Sequence, residues 1–76
     1  MTIEYHAIDF PNASLAIQHV NASGVGRAIF IDGKYRVVNE ADARRLEVAR
    51  IPFAYVSERP RPDGTWRIVT VPVNDD

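Results

Sequence analysis

The sequence predicts a small α+β domain, a two-layer structure in which one or two short helices pack on one face of a mainly antiparallel sheet of four to six strands. Three observations lead to this prediction. Two runs of β-branched and aromatic residues flank Asp32-Gly33, helical spacing follows Asn39, and no apolar run is long enough to span a membrane. The favoured order of elements is β-α-β-β-α-β-β.

The size and composition of the chain limit how it can be stabilised. Its 76 residues predict a single domain over 1–76, with residues 74–76 frayed. A domain this small buries only about 60% of the surface that its unfolded chain exposes. Because cysteine is absent, disulfides and thiolate sites are excluded, and packing or self-association must supply stability. The first ten residues do not resemble a signal peptide, so we expect a cytoplasmic protein without membrane association.

The first two elements are a strand and a segment with two interpretations. Residues 2–9 alternate between apolar and polar side chains, which predicts a half-buried strand. In residues 13–22 the apolar side chains recur at helical spacing, and Asn12 and Gly24 suit the two ends of a helix. Residues 15–19 also alternate as a strand would. We favour the helix and keep the strand as the alternative.

The segment around Asp32-Gly33 predicts a β-hairpin. Residues 27–31 and 34–38 are rich in β-branched and aromatic side chains, which is typical of strands. The dipeptide between them suits a type I′ turn, because both turn positions need positive φ. A turn of two residues also fixes the register in which the two strands pair.

That register divides the side chains of the hairpin between two faces. One face is wholly apolar, and we expect it to meet the core; it carries Ala28, Phe30, Tyr35 and Val37. The other face is mixed, because it carries Ile29 together with Arg27 and Arg36. We expect this second face to meet solvent or a partner.

A helix and a final pair of strands complete the predicted fold. Asn39 suits the N-cap of a helix over residues 40–50. Residues 53–57 and 66–73 predict strands, which an arginine- and proline-rich segment with an Asp-Gly turn connects. Because Pro72 cannot donate a hydrogen bond to a neighbouring strand, we expect the last strand at an edge of the sheet.

No catalytic or metal-binding constellation is recognisable. The only histidines, His6 and His19, lie in no nucleophile motif, although a triad with a serine and an acid can be drawn on paper. His6 and Asp9 are three residues apart on a strand, so they point to opposite faces rather than toward one metal ion. Gly24-Val25-Gly26 lacks the third glycine of a dinucleotide-binding loop. We therefore expect a noncatalytic protein without metal or cofactor.

The arginines support nucleic-acid binding as the alternative function. All nine cations lie between Arg27 and Arg67, where six acids leave a net charge of +3 against −1 for the whole chain. Eight of the nine are arginine, a bias that codon usage alone would explain. Arg59, Arg61 and Arg67 cluster near Trp66, and arginines beside a stacking ring can bind phosphates. The residues proposed for contact with an anion or nucleic acid are Arg27, Arg36, Arg59, Arg61 and Trp66. The pI of about 6.1 and the absence of an RNA-recognition signature weigh against this function.

The function that we favour is a protein-interaction or structural module that forms homodimers or binds another protein. The last strand has valines on one face and Trp66 and Ile68 on the other, and so small a chain has little left to cover both faces. A second copy would cover one face, since twofold dimers are the commonest oligomers. The candidate interface residues are Trp66, Ile68 and Ile29. The alternative is that the arginine- and proline-rich segment or the first helix covers Trp66 and Ile68.

Overall fold

The structure, a computed structural model that describes residues 4–74, confirms the α+β class and the predicted order of elements. It contains two helices and five strands: β1 (Ala7–Phe10), α1 (Ala13–Ser23), β2 (Arg27–Ile31), β3 (Lys34–Val38), α2 (Glu40–Val48), β4 (Phe53–Pro60) and β5 (Trp66–Val73). All strands belong to one antiparallel sheet with the order β1-β3-β2-β4-β5. None of the helices in the described part of the chain is long and apolar enough to cross a membrane.

The β2–β3 hairpin has the predicted turn and the predicted register. Asp32 and Gly33 have φ values of 54° and 75°, as a type I′ turn requires. Phe30 pairs with Tyr35, and the centroids of the two rings are 4.8 Å apart. Both rings pack against the core cluster beneath α1, so the face that we expected to meet the core does so.

Residues 13–22 are helical, as we favoured. The side chain of Asn12 accepts a hydrogen bond from the N–H of Leu15 at 2.9 Å, which satisfies one of the free amides at the start of α1. Gly24 ends the helix with a φ of 74°, and its N–H donates to the carbonyl of Val20 at 2.8 Å. The buried side chains of α1 include Ala16 and Ile17, which pack on one face of the sheet.

The first strand begins later than predicted. It pairs with β3 from Ala7↔Val38 to Phe10↔Tyr35. Residues before Ala7 would have to pair with the residues after Val38, and these already form α2. The N–H of His6 instead donates to the side chain of Asp42 in the first turn of α2, at 3.3 Å. The predicted strand residues Thr2 and Ile3 lie outside the described residues.

The two helices lie on opposite faces of the sheet, whereas we expected helices on one face. α1 covers the face that carries Ala28 and Val37, and α2 covers the face that carries Ile29 and Val38. Each helix connects two parallel strands that have one strand between them. Both connections run toward the β5 edge of the sheet. The strands from which they start, β1 and β3, are antiparallel to each other. Since such crossovers are right-handed in about 98% of cases, the two helices are placed on opposite faces.

This arrangement makes the mixed face of the β2–β3 hairpin a second core, and our prediction for Ile29 is wrong. Ile29 and Leu46 of α2 have no exposed surface, and Val38 is only 2% exposed. The three belong to one apolar cluster. Ile29 is therefore unavailable to a second molecule, because α2 already covers it.

The end of the described chain is attached to the end of α2. The side-chain amide of Asn74 donates to the carbonyls of Glu47 and Ile51, at 3.1 and 3.4 Å. Residues 75 and 76, for which we predicted fraying together with Asn74, lie outside the described residues.

The β4–β5 hairpin is only partly joined to the rest of the sheet. β4 pairs with β5 at eight positions but with β2 at two, Ile29↔Tyr55 and Phe30↔Ala54. In the part of the hairpin nearer its turn, residues 56–70, the two strands therefore pair only with each other. We call residues 56–70 the distal hairpin.

Candidate interaction surface on the β4–β5 hairpin

A turn of three residues closes the hairpin. The N–H of Gly64 donates to the carbonyl of Arg61 at 3.0 Å, and the N–H of Arg61 donates to the carbonyl of Thr65 at 2.7 Å. This is a type I turn with Pro62 and Asp63 at its centre, followed by Gly64 at a φ of 89°. The hydroxyl and the N–H of Thr65 donate to the carboxylate of Asp63, at 2.7 and 3.0 Å, and these bonds lower the pKa of Asp63.

The turn determines which backbone groups β5 presents at its open edge. Arg61 and Thr65 form a hydrogen-bonded pair, and such pairs alternate with non-hydrogen-bonded pairs along an antiparallel ladder. The register of β4 and β5 runs without a bulge, so the N–H and C=O groups of every second residue of β5 point away from β4. These residues are Trp66, Ile68, Thr70 and Pro72. The first three supply outward N–H groups, and Pro72 has none.

Trp66 and Ile68 are exposed on the α1 side of the sheet. Their side chains retain 61% and 45% of their accessible surface. In the β4–β5 register they lie opposite Pro60 and Glu58, on the face that α1 covers farther along the sheet. The alternative that α1 or the arginine- and proline-rich segment covers them is therefore wrong.

A cleft of about 720 Å³ separates the distal hairpin from α1 and the start of β2. It opens where the pairing of β2 with β4 stops, at Ile29↔Tyr55. Apolar side chains of α1, Ile17 and Val20, line it together with Trp66. Arg27 and Arg59 also line it, together with Glu58. Trp66 thus has one side toward this cleft and the other toward solvent.

The candidate arginines do not form a single site. Arg36 is held within the fold, because its Nε donates to Asp9 and its Nη1 to the hydroxyl of Tyr5, both at 2.8 Å. Its side chain is 19% exposed. The structure therefore separates Arg36 from Arg27, Arg59 and Arg61.

Arg27 lies at the border between the body of the fold and the cleft. Its guanidinium carbon is 4.3 Å from the centroid of the Tyr55 ring, in the geometry of a cation–π contact. Burial and the nearby carboxylate of Glu47 raise the pKa of Tyr55, and the charge of Arg27 partly opposes them. The side chain of Arg27 is nevertheless exposed.

Three arginines share one face of the distal hairpin. Arg59 pairs directly with Arg67 across the β4–β5 ladder, and Arg61 lies two residues farther along on the same face. We call these three side chains the arginine face. It lies on the α2 side of the sheet, opposite Trp66 and Ile68. Within residues 4–74, no carboxylate oxygen lies within 4.0 Å of any of its guanidinium nitrogens.

The cluster of Arg59, Arg61 and Arg67 near Trp66 was expected from the sequence, but the direct pairing of Arg59 with Arg67 was not. The signal was present in Pro62-Asp63-Gly64, because a three-residue turn of this kind pairs Arg61 with Thr65 and therefore Arg59 with Arg67. The register of the second hairpin can thus be derived from the sequence just as that of the first.

Among residues 4–74, no serine hydroxyl is hydrogen-bonded to a histidine ring. His6, His19 and Ser23 line one shallow hollow. The hydroxyl of Ser23, however, hydrogen-bonds the carbonyls of Val20 and Val25, and the ring of His19 lies 5.3 Å from that of Phe10. Among residues 4–74, no three His, Cys, Asp or Glu side chains converge as metal ligands.

Comparison with known proteins does not add a relative. No protein-family model matches the chain, and neither the curated proteins nor the solved structures gave a significant match.

Proposed function

We propose that the protein is a noncatalytic, cytoplasmic interaction module that forms a dimer by pairing the open edge of β5 with β5 of a second copy. The observation that carries the proposal is the set of outward N–H groups on Trp66, Ile68 and Thr70, beside two exposed apolar side chains. Native proteins normally protect such an edge, because it is a template for another strand. Pro72 protects only the end of β5.

An antiparallel pairing centred on Ile68 uses this edge best. Ile68 then lies opposite Ile68 of the second copy, and Trp66 lies opposite Thr70, so that all three outward N–H groups have partners. Pro72 falls opposite Gly64, beyond the ladder. A shift of the centre to Arg67 would bring two arginines directly opposite each other, which is unfavourable.

The side chains also favour a second copy as the partner. A twofold axis through the Ile68 pair places Trp66 and Ile68 of both copies on the same face, in one continuous apolar strip. Ile68 gains a neighbour of its own kind, and Trp66 contacts Ile68 of the second copy diagonally. An edge-to-edge contact of this length is smaller than a standard interface of about 1,600 Å², so we expect weak, concentration-dependent association.

Substitution of Thr70 tests the proposal most directly. Thr70→Pro removes an N–H group that points away from β4, and it leaves the β4–β5 ladder intact, as Pro72 does two residues later. Thr70→Val is the matched control, since it retains the N–H group. In sedimentation equilibrium, wild type and Thr70→Val should change from the 8.5 kDa monomer to the dimer with concentration, and Thr70→Pro should remain monomeric.

A second pair of variants covers the case in which Thr70→Pro does not fold. Ile68→Lys places a charge on the edge, and Val48→Lys places the same charge on α2, where Val48 is 77% exposed. Only Ile68→Lys should abolish the dimer. Trp66 is the single tryptophan, so its emission should shift to the blue as wild type associates. A wild type that is monomeric at high micromolar concentration, or an Ile68→Lys variant that associates like wild type, overturns the proposal.

A further inference from the structure

We propose that the arginine face of the distal hairpin is a binding site for the phosphodiester backbone of a nucleic acid. This inference goes beyond self-association and needs only one copy of the chain. It revises the set of residues expected from the sequence, because Arg36 is excluded and Arg67 is included.

The first argument is the arrangement of like charges. Arg59 and Arg67 are directly opposite on the ladder, where two cations destabilise the hairpin relative to a neutral pair. Arg61 and Arg67 border one surface hollow of about 510 Å³. A linear polyanion relieves this repulsion, since it brings several negative charges to side chains held in fixed register.

The second argument is that nearby acids do not neutralise these arginines. Asp63 is the closest in sequence, but it accepts two hydrogen bonds from Thr65 within the turn. Glu58 lies on the other face, opposite Ile68. Planar guanidinium groups are suited to bidentate contacts with phosphate oxygens, and all three cations here are arginine rather than lysine.

The third argument distinguishes a nucleic acid from an anionic membrane. Binding at a lipid surface requires apolar and cationic side chains on the same side of an element. Here Trp66 and Ile68 are on the opposite face from the arginines, and Val71 is the one exposed large apolar side chain of β5 on the arginine side. A phosphodiester backbone requires only the cations.

The contact extends toward the body of the fold. Arg27 and Arg59 line the same cleft, and both are exposed. A strand that lies along the arginine face therefore leads to Arg27, whose position above Tyr55 is already fixed by the cation–π contact. The four guanidinium groups form a track from the turn of the hairpin to the start of β2.

Fluorescence anisotropy with labelled, mixed-sequence single- and double-stranded DNA tests the proposal. Affinity should fall steeply between about 50 and 200 mM salt. The double variant Arg59→Gln/Arg67→Gln should bind at least tenfold more weakly, with a salt slope smaller by about 1.4 to 1.8 for two lost phosphate contacts. Its control is Lys34→Gln/Arg50→Gln, which removes the same charge from exposed positions that share no hollow with the four arginines. This control should retain most of the affinity.

Two outcomes would overturn the proposal. One is that wild type binds neither DNA at about 50 mM salt, where electrostatic contacts are strong. The other is that the two double variants weaken binding equally, which would mean that only net charge matters. Vesicles of anionic phospholipid form a third arm, and binding to them in place of DNA would assign the arginines to a membrane instead. Circular dichroism of every variant checks that the fold is retained.

Discussion

Helices cover the core side chains of the body of the fold, which is the described chain outside residues 56–70, whereas Trp66 and Ile68 of the distal hairpin are exposed. In the body, α1 and α2 cover both faces of the β2–β3 hairpin, so that Ile29 has no exposed surface. In the distal hairpin, no helix covers Trp66 or Ile68, although five of its ten strand residues are β-branched or aromatic, against six of ten in the β2–β3 hairpin. Apolar composition alone therefore does not distinguish a covered strand from an exposed one, because that depends on which helices pack on the strand.

Under the two proposals above, this difference also separates the residues that stabilise the fold from those that bind partners. Apart from Val56, the residues of both apolar clusters lie in the body, so removing a side chain there should lower the free energy of unfolding. The distal hairpin holds the open edge and the arginine face, where substitutions should change binding with little effect on folding. The following predictions test whether the two regions are as independent as their packing suggests.

The largest effect should come from the core beneath α2. Leu46→Ala removes a side chain with no exposed surface, and we expect it to lower the free energy of unfolding by about 2–5 kcal/mol. Ile68→Ala, at a side chain that is 45% exposed, should lower it by about 0.5 kcal/mol or less in the monomer. Urea denaturation followed by circular dichroism measures both.

In a domain this small, Leu46→Ala can abolish folding altogether, and Ile29→Val then serves as the milder variant. We expect it to cost about 0.5–1.5 kcal/mol. Equal losses for the body and hairpin variants in dilute protein would contradict the comparison, because they would mean that Ile68 is part of a cooperative core.

The features that could be predicted from the sequence are those that depend on near neighbours in the chain. The register of Phe30 and Tyr35 follows from a two-residue turn, and the helix over 13–22 follows from its spacing and from Asn12. The exposure of Trp66 and Ile68 also agrees with the expectation that the chain is too short to cover both faces of its last strand.

The burial of Ile29 could not be predicted in the same way. It depends on where β4 pairs, because a β4 beside β2 carries α2 to the face opposite α1. That choice is made between strands far apart in sequence. The separation of Arg36 from the other arginines has the same origin, since its partners Asp9 and Tyr5 come from the N-terminal part of the chain, 27 and 31 residues away.

Two glycines with nearly equal φ angles, one in each region, allow the two regions to be compared through an effect of intermediate size. Gly26 in the body and Gly64 in the distal hairpin have φ values of 93° and 89°, so replacement by alanine should cost each about 1–2 kcal/mol in backbone conformation. A Cβ on Gly64 meets open space, but on Gly26 it would lie 3.0 Å from the carbonyl oxygen of Val38 and 3.3 Å from Cγ1 of Val37.

Thermal unfolding should therefore show a larger decrease in Tm for Gly26→Ala than for Gly64→Ala. The difference measures the steric contact alone, because the conformational cost is nearly the same at the two positions. If Gly64→Ala were the more destabilising, the turn of the distal hairpin would be more tightly packed than its surroundings indicate.

The smallest effect should be the acid titration of the distal turn. The Thr65 hydroxyl and N–H hold the pKa of Asp63 below its ordinary value, so the stability that they add is present above the ordinary pKa and is lost as the pH falls through the lowered one. Because Asp63 is fully exposed, the effect on global unfolding should be slight, and a carboxyl titration by NMR is the suitable measurement. Thr65→Val should raise the pKa of Asp63 toward its ordinary value, whereas Thr70→Val should leave it unchanged. A pKa that did not respond to Thr65→Val would mean that the distal turn is not held by these hydrogen bonds in solution, and the register that aligns Arg59 with Arg67 would lose one of its supports.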